Sequence, residues 1–207
     1  WLAIKPVLRQ SDADDQCYQL AGIILKDLRR VKECEKHYKK GIKRFPGSGA
    51  LYNEMGELLW MQQDYAAIEY WEKGIENDPS YPRNYYNAAR FYYLTTNKVW
   101  ALLYGEIFVN MEPLGAQVPE IKDILLESYK KLFVSIGETK GLREKKVFAR
   151  NYLSCMRSQA EVVNEGVNLE SLLMLRTRFI IEWNQRYKGK FPYKLFDYQQ
   201  QLLQEGH

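Results

Sequence analysis

Between residues 13 and 113, apolar side chains recur at intervals of three and four, as in Tyr52, Met55 and Leu59, and then Ile68, Trp71 and Ile75. That is the period of an amphipathic α-helix, not the alternation of a half-buried strand. The helices fall into pairs that repeat. Prolines at Pro46, Pro79 and Pro113 are spaced 33 and 34 residues apart, and tyrosines at Tyr18, Tyr52 and Tyr85 are spaced 34 and 33. Four residues after each tyrosine stands a small residue, Gly22, Gly56 or Ala89. The two series agree if the middle copy lacks one residue, and the turn Asp64-Tyr65-Ala66 is where a deletion leaves both flanking helices intact. Glycine inside a helix costs about 1 kcal/mol against alanine, so its recurrence implies close backbone approach. Gly56 is therefore expected to face the second helix of its own hairpin, with Ala67 and Gly74 opposite. The prolines follow the second helix of each copy, where a residue that cannot continue the helix sets the turn. Tyr18, Tyr38, Trp71, Tyr85 and Tyr92 read as core.

Beyond Pro113 the repeat is lost while helical spacing persists. Ile121, Ile124, Leu125, Leu132 and Phe133 mark one helix. A second is expected from Leu142 to Met156, with Val147, Tyr152 and Leu153 inward. A longer one opens behind Asn168, a favoured cap residue, and runs to about Tyr187 with Leu172, Leu173, Leu175, Phe179, Ile180 and Trp183. After the loop YKGKFPYK, a last helix spans about Leu195 to Gln204. Stacked repeats need a terminal element that shields their last apolar face. The expected architecture is thus an all-α solenoid of three helical hairpins (about 15–46, 49–79 and 82–113), followed by a divergent helical capping region over 114–207. Residues 1–12 are expected to be a trimmed N-terminal segment, since the chain opens at Trp1 rather than Met, and Trp1 to Pro6 reads as the remnant of a neighbouring repeat.

These residues resemble the tetratricopeptide repeat family, whose pattern sets an aromatic, Leu-Gly, an aromatic, a turn Tyr, Ala, an aromatic, Ala and Pro on a 34-residue period. The middle copy carries Tyr52, Met55-Gly56, Leu59, Tyr65, Ala67, Trp71, Gly74 and Pro79. The first matches through Tyr18, Ala21-Gly22, Leu25, Cys34, Tyr38, Gly41 and Pro46. The third has Tyr85, Ala88-Ala89, Tyr92 and Ala101, then departs, with Gly105 where an aromatic is expected and Phe108 where a small residue is expected. The resemblance implies a concave groove lined by the first helix of each hairpin, which binds a segment of another protein. By position it assigns Gln19, Lys26, Asn53, Glu57, Trp60, Arg83, Tyr86, Arg90 and Tyr93 to that groove. Family members that clamp chaperone tails use Lys and Asn in the first repeat, Asn in the second, and Lys and Arg in the third. Here the corresponding residues are Gln19, Ile23, Glu54, Arg83 and Asn87, so a chaperone-tail clamp is not supported. Arg83, Tyr86, Arg90 and Tyr93 share one side of a helix and suit an acidic or aromatic segment. The other reading of the same spacing pairs Arg83 and Arg90 with Glu57 and neighbouring acids.

Composition changes this picture little. With 46% hydrophobic and 27% charged residues, the 207-residue chain is of ordinary globular type. Its longest run without Asp, Glu, Lys or Arg, Gln16 to Leu25, falls well short of the roughly 20 apolar residues of a membrane span. The net charge of +4 arises entirely after Leu114, where 15 Lys and Arg face 11 Asp and Glu. That surplus is small for a nucleic-acid binder. The basic run Arg143, Lys145, Lys146, Arg150 and Arg157 reads as a solvated helix face, with an anion site as its sharper alternative. Cys17, Cys34 and Cys155 lack CxxC spacing, which leaves the compartment open and leans towards a reducing, cytoplasmic one.

The inventory for catalysis is poor. His37 lies among charged residues, His207 ends the chain, and Cys34, one helical turn from His37, occupies an interior position of its repeat. No Cys and His spacing suits a metal. The glycines of PGSG and GETKG lack the Gly-Lys-Ser/Thr ending of a phosphate loop. No enzyme and no cofactor is expected. A self-associating structural subunit is the main alternative to a peptide-binding scaffold.

Overall fold

The computed structural model describes residues 1–95, 97–137 and 146–206. Among them every regular element is helical: α1 (Ile4–Val7), α2 (Asp15–Asp27), α3 (Val31–Arg44), α4 (Gly49–Met61), α5 (Ala67–Asn77), α6 (Pro82–Leu94), α7 (Lys98–Met111), α8 (Val118–Gly137), α9 (Val147–Ser158), α10 (Leu169–Arg186) and α11 (Lys194–Gln204), with a 3-10 turn at Ala160–Val163. None of the described helices is long and apolar enough to cross a membrane. Arg143, Lys145, His207 and most of GETKG lie outside the described residues, as does the expected start of a helix at Leu142.

Local chemistry fixes the helix ends. Asp14 accepts a bond from the Cys17 amide at 2.8 Å, Ser48 from Leu51 at 3.4 Å, and Asn168 from Ser171 at 2.9 Å. At the other end, Phe45, Asp78 and Glu112 each precede a proline and leave helical geometry, with ψ of 70°, 81° and 64°. A proline forces that exit on the residue before it. After α2 and α4 the turn is made by Arg29 and Gln63 at φ 55° and 60°, in the left-handed region. Arg30 and Asp64 then donate back to the carbonyls of Leu25 and Leu59 at 2.9 and 3.0 Å, closing the helix C-terminus without glycine.

The middle hairpin is one residue shorter than its neighbours, as expected, but the flanking helices are not left intact. Helix α5 has 11 residues where α3 and α7 have 14, while the connection 62–66 is longer than 28–30. Asp64 takes up the difference. Its side chain accepts from the Ala66 amide at 2.9 Å and its carbonyl from Ala67 at 3.2 Å, so a tight turn replaces the first turn of the helix.

Each helix packs on the next from α2 to α8. In addition, α2 touches α4, α4 touches α6 and α6 touches α8, with no comparable contact from α3 to α5 or α5 to α7 among the described residues. The first helices of the hairpins therefore form a closer, inner row. Within a hairpin, glycine admits an aromatic ring. A Cβ on Gly22 would lie 2.0 Å from Tyr38, and one on Gly56 would lie 2.4 Å from Trp71. This corrects the expectation that Ala67 and Gly74 answer Gly56. Gly74 instead makes room for Asn84 of the next hairpin, 2.4 Å from where its Cβ would be. Of the aromatics expected in the core, Tyr18, Tyr38, Trp71 and Tyr85 are buried, and Tyr92 is half-buried with its hydroxyl on Glu72 at 2.8 Å.

Helix α8 continues the inner row through an exchange of sizes. Ile121 and Leu125 stand on α8 where Tyr85 and Ala89 stand on α6, and Gly105 of α7 faces them, its Cβ position 2.9 Å from Leu125. Phe108, in the position of Gly41 and Gly74, is buried and lies 5.4 Å from the ring of Tyr86. Of the two residues exchanged in the third copy, Gly105 thus meets its complement on α8, while Phe108 packs beside Tyr86 of α6 in one cluster with Val118 and Ile121. Helices α9, α10 and α11 close around a separate aromatic core of Phe148, Tyr152, Phe179, Trp183 and Phe196. Val147 and Leu173, expected inward, are 50% and 65% exposed, because the inward positions of their helices are taken by Tyr152 and Leu153 and by Leu175 and Phe179.

Candidate functional site

The inner row brings four of the assigned groove residues into one hydrogen-bonded network. Its centre is Glu54, buried on α4, which accepts from Lys26 at 2.8 Å, Gln19 at 3.2 Å and the Tyr38 hydroxyl at 3.2 Å. Lys26 also lies 3.6 Å from Glu57, and Glu57 accepts from Asn53 at 3.2 Å and Asn87 at 3.4 Å. Asn87 closes the chain with a 2.8 Å bond to Asn53. Burial, the largest influence, would lower the Lys26 pKa, but the bond to Glu54 and the charges of Glu54 and Glu57 together leave the ammonium raised. Gln19, Lys26, Asn53 and Glu57 are therefore bonded to their own chain and link α2, α4 and α6 into a frame.

On α6 the structure places Tyr86 and Arg90 on one acid of α8. The Tyr86 hydroxyl donates to Glu120 at 2.7 Å, and Arg90 reaches the other oxygen of Glu120 at 2.9 Å while covering the Tyr86 ring. Burial, and then this bond, push the Tyr86 phenol up to about 12. Arg90 pairs with Glu120 and not with Glu57, whose carboxylate takes Lys26, Asn53 and Asn87. Tyr93 carries Lys131 4.4 Å above its ring, and Lys98 donates to the carbonyls of Tyr93 and Thr95. Arg83 is exposed and has no ion-pair partner among the described residues. Trp60 is half-buried, 5.5 Å from Phe91 and 6.2 Å from Trp71. Met61, Tyr65 and Leu94, at the same ends of α4 and α6, are exposed.

A second site was not anticipated by the repeat pattern. Helices α8, α10 and α11 enclose an apolar trough of about 600 Å³ with Glu106 of α7 at its floor. Glu106 is buried and accepts from the Tyr129 hydroxyl at 2.7 Å, from Gln199 at 2.5 Å and from Arg176 at 3.4 Å. The nearby carboxylate holds the half-exposed Arg176 guanidinium above its ordinary value against its partial desolvation, and burial drives the Tyr129 phenol strongly upward. One sequence signal pointed here. Past Lys98, Glu106 is the single charged residue of the otherwise apolar helix KVWALLYGEIFVNM, and such an acid needs partners.

The groups weighed for catalysis are engaged separately. Cys34 is buried and donates to the Gly22 carbonyl at 3.3 Å, and burial raises its thiol to about 11. His37 instead bonds the Tyr18 carbonyl at 2.8 Å and stacks on the Tyr18 ring. No group of His, Cys, Asp and Glu suited to a metal ion occurs among the described residues. Of the basic run, Arg150 and Arg157 are exposed on α9, while Lys146 lies 4.9 Å over the Trp100 ring. Searched against family models and against curated proteins, the chain matches none.

Proposed function

We propose that the chain is a non-catalytic, tetratricopeptide-like scaffold that binds a segment of another protein along the row α2, α4, α6 and α8. The observation that carries this reading is the division of labour within the row. The polar groups are bonded across α2, α4 and α6 through Glu54 and Glu57, whereas the apolar ends of α4 and α6 are left uncovered. A frame already held by its own bonds reorganises little on binding, which lowers the cost of ordering the interface. Trp60, Met61 and Leu94 supply apolar contact area, and Arg83 a planar fork for a carboxylate. The preference for an acidic segment rests on Arg83 alone, since Glu120 already occupies Arg90 and Tyr86.

Affinity capture with the wild type, with Met61→Lys combined with Leu94→Lys, and with Lys36→Glu on α3, outside the row, tests the reading, helicity and melting being checked for each. All three positions are exposed, so folding is expected to survive. Proteins retained by the wild type and Lys36→Glu but lost from the Met61 and Leu94 pair support the scaffold. The same set captured by all three overturns it.

A further inference from the structure

In the inner row each helix lies against the next until α8, after which α8 and α10 part. The trough lies at this lapse. Leu125 and Leu126 of α8 form one wall and Leu172 and Leu173 of α10 the other. Leu169 at the mouth is 87% exposed and Leu173 is 65% exposed. So much uncovered leucine on facing helices is unfavourable in water, and the shape is concave rather than flat. A volume of about 600 Å³ lies inside the range of small-ligand sites.

Charge narrows the ligand. The acid in the trough, Glu106, is spent on three donors and is balanced by Arg176. Lys122 lines the mouth, is exposed, and has no ion-pair partner among the described residues. With Glu106 cancelling Arg176, the trough carries one uncompensated positive charge at the mouth of an apolar cavity. We propose that it binds a single-chain amphiphile with a monoanionic head, an aliphatic carboxylate, with the tail between the leucines of α8 and α10 and the head at Lys122. A rigid, multiply charged ligand would leave the leucines unused and exceed the available charge. A purely apolar ligand would leave Lys122 beside the apolar chain.

Calorimetric titration with hexadecanoate below its micelle concentration, beside dodecanoate and hexadecan-1-ol, tests this. One carboxylate per chain is expected, with affinity rising about fourfold per methylene from the shorter acid until the trough is filled. Lys122→Glu is expected to weaken the carboxylate at least about tenfold and leave the alcohol unchanged. Leu173→Asp is expected to weaken both. Neither substitution touches a buried group, and an unchanged melting curve keeps the comparison valid. The proposal is overturned by no saturable binding, by several molecules per chain, or by carboxylate binding that neither substitution alters. It is equally overturned if hexadecanoate fails to bind while Leu173→Asp strips away a protein that the wild type captures, which makes the trough a protein surface. None of these readouts involves Met61, Leu94 or Arg83, so the scaffold reading stands or falls separately.

Discussion

Along α2 to α5 a glycine on one helix receives a ring from the other, Gly22 taking Tyr38 and Gly56 taking Trp71. From α9 onward rings pack on rings instead. Phe179 lies 4.9 Å from Tyr152 and 5.1 Å from Phe196, and Trp183 lies 5.1 Å from Phe196. The first device requires a fixed size at a fixed position, because a ring fits only where there is no Cβ, and so it repeats in the sequence. The second requires only enough aromatic area from several directions, and leaves no period. Between them, α8 joins the two regimes, with Leu125 filling the space that Gly105 leaves. The polar groups differ in the same way. In the first region they form a ladder between neighbouring hairpins. In the second they converge from α8, α10 and α11 on the single acid Glu106.

The largest expected effect breaks the first device. Gly56→Leu would press a side chain into the buried indole of Trp71, and a loss of about 3 kcal/mol or more is expected, at or above the usual overpacking range because the strain passes to both neighbouring hairpins. Urea unfolding followed by circular dichroism measures it, and an unchanged midpoint would mean that the helices of this hairpin are paired in another register. Next comes Glu106→Ala, which leaves the buried Tyr129 hydroxyl without its acceptor. The half-exposed Arg176 can return to water, so the expected loss is about 2 kcal/mol. Hydrogen exchange should quicken in α8, α10 and α11 and stay unchanged in α2 to α5. Uniform quickening would show that the two regions are one cooperative unit.

A smaller effect sharpens the role of α8. The Cβ of Gly105→Ala would meet the flexible end of Leu125, whereas that of Gly56→Ala would meet a fixed ring. Gly56→Ala is expected to destabilise by about 1 to 3 kcal/mol. Gly105→Ala should be near neutral, since the helix gains about 1 kcal/mol from alanine. Adding Leu125→Ala to Gly105→Ala should show coupling in a double-mutant cycle, and additivity would deny that the two sizes are matched.

The smallest effect concerns pH. Burial lowers the pKa of His37 below its unfolded value of about 6.5, although the bond to Tyr18 opposes this. The unfolded chain then takes up the proton first. The contribution is present above about pH 6.5 and is lost as the pH falls towards the folded value. His37→Gln should therefore melt with a weaker dependence on pH than the wild type between about pH 8 and pH 5.5. Identical dependences would place the acid sensitivity elsewhere.

The helical period, the hairpin turns and the small positions could be read directly, because a helix face, a cap and a proline act within a few residues of themselves. Asn168 announces α10, and Pro46, Pro79 and Pro113 announce the ends of α3, α5 and α7. The same reading set Arg83, Tyr86, Arg90 and Tyr93 on one side of α6, but not their partners. Glu120, which meets Tyr86 and Arg90, comes from α8, and its claim on them follows from α8 lying against α6. Nor could spacing show that Glu54 would gather Gln19, Lys26 and Tyr38, since that depends on how far apart two hairpins settle. The trough lies furthest from the sequence. Arg176 and Gln199 reach Glu106 across 70 and 93 residues of chain. Sequence alone determined where most of the helices lie and most of their apolar faces, Val147 and Leu173 apart, because those properties follow from backbone geometry and burial within one element. Only the tertiary structure decided which charge meets which and where leucines are left facing a void, because both depend on distances between elements that no local period encodes.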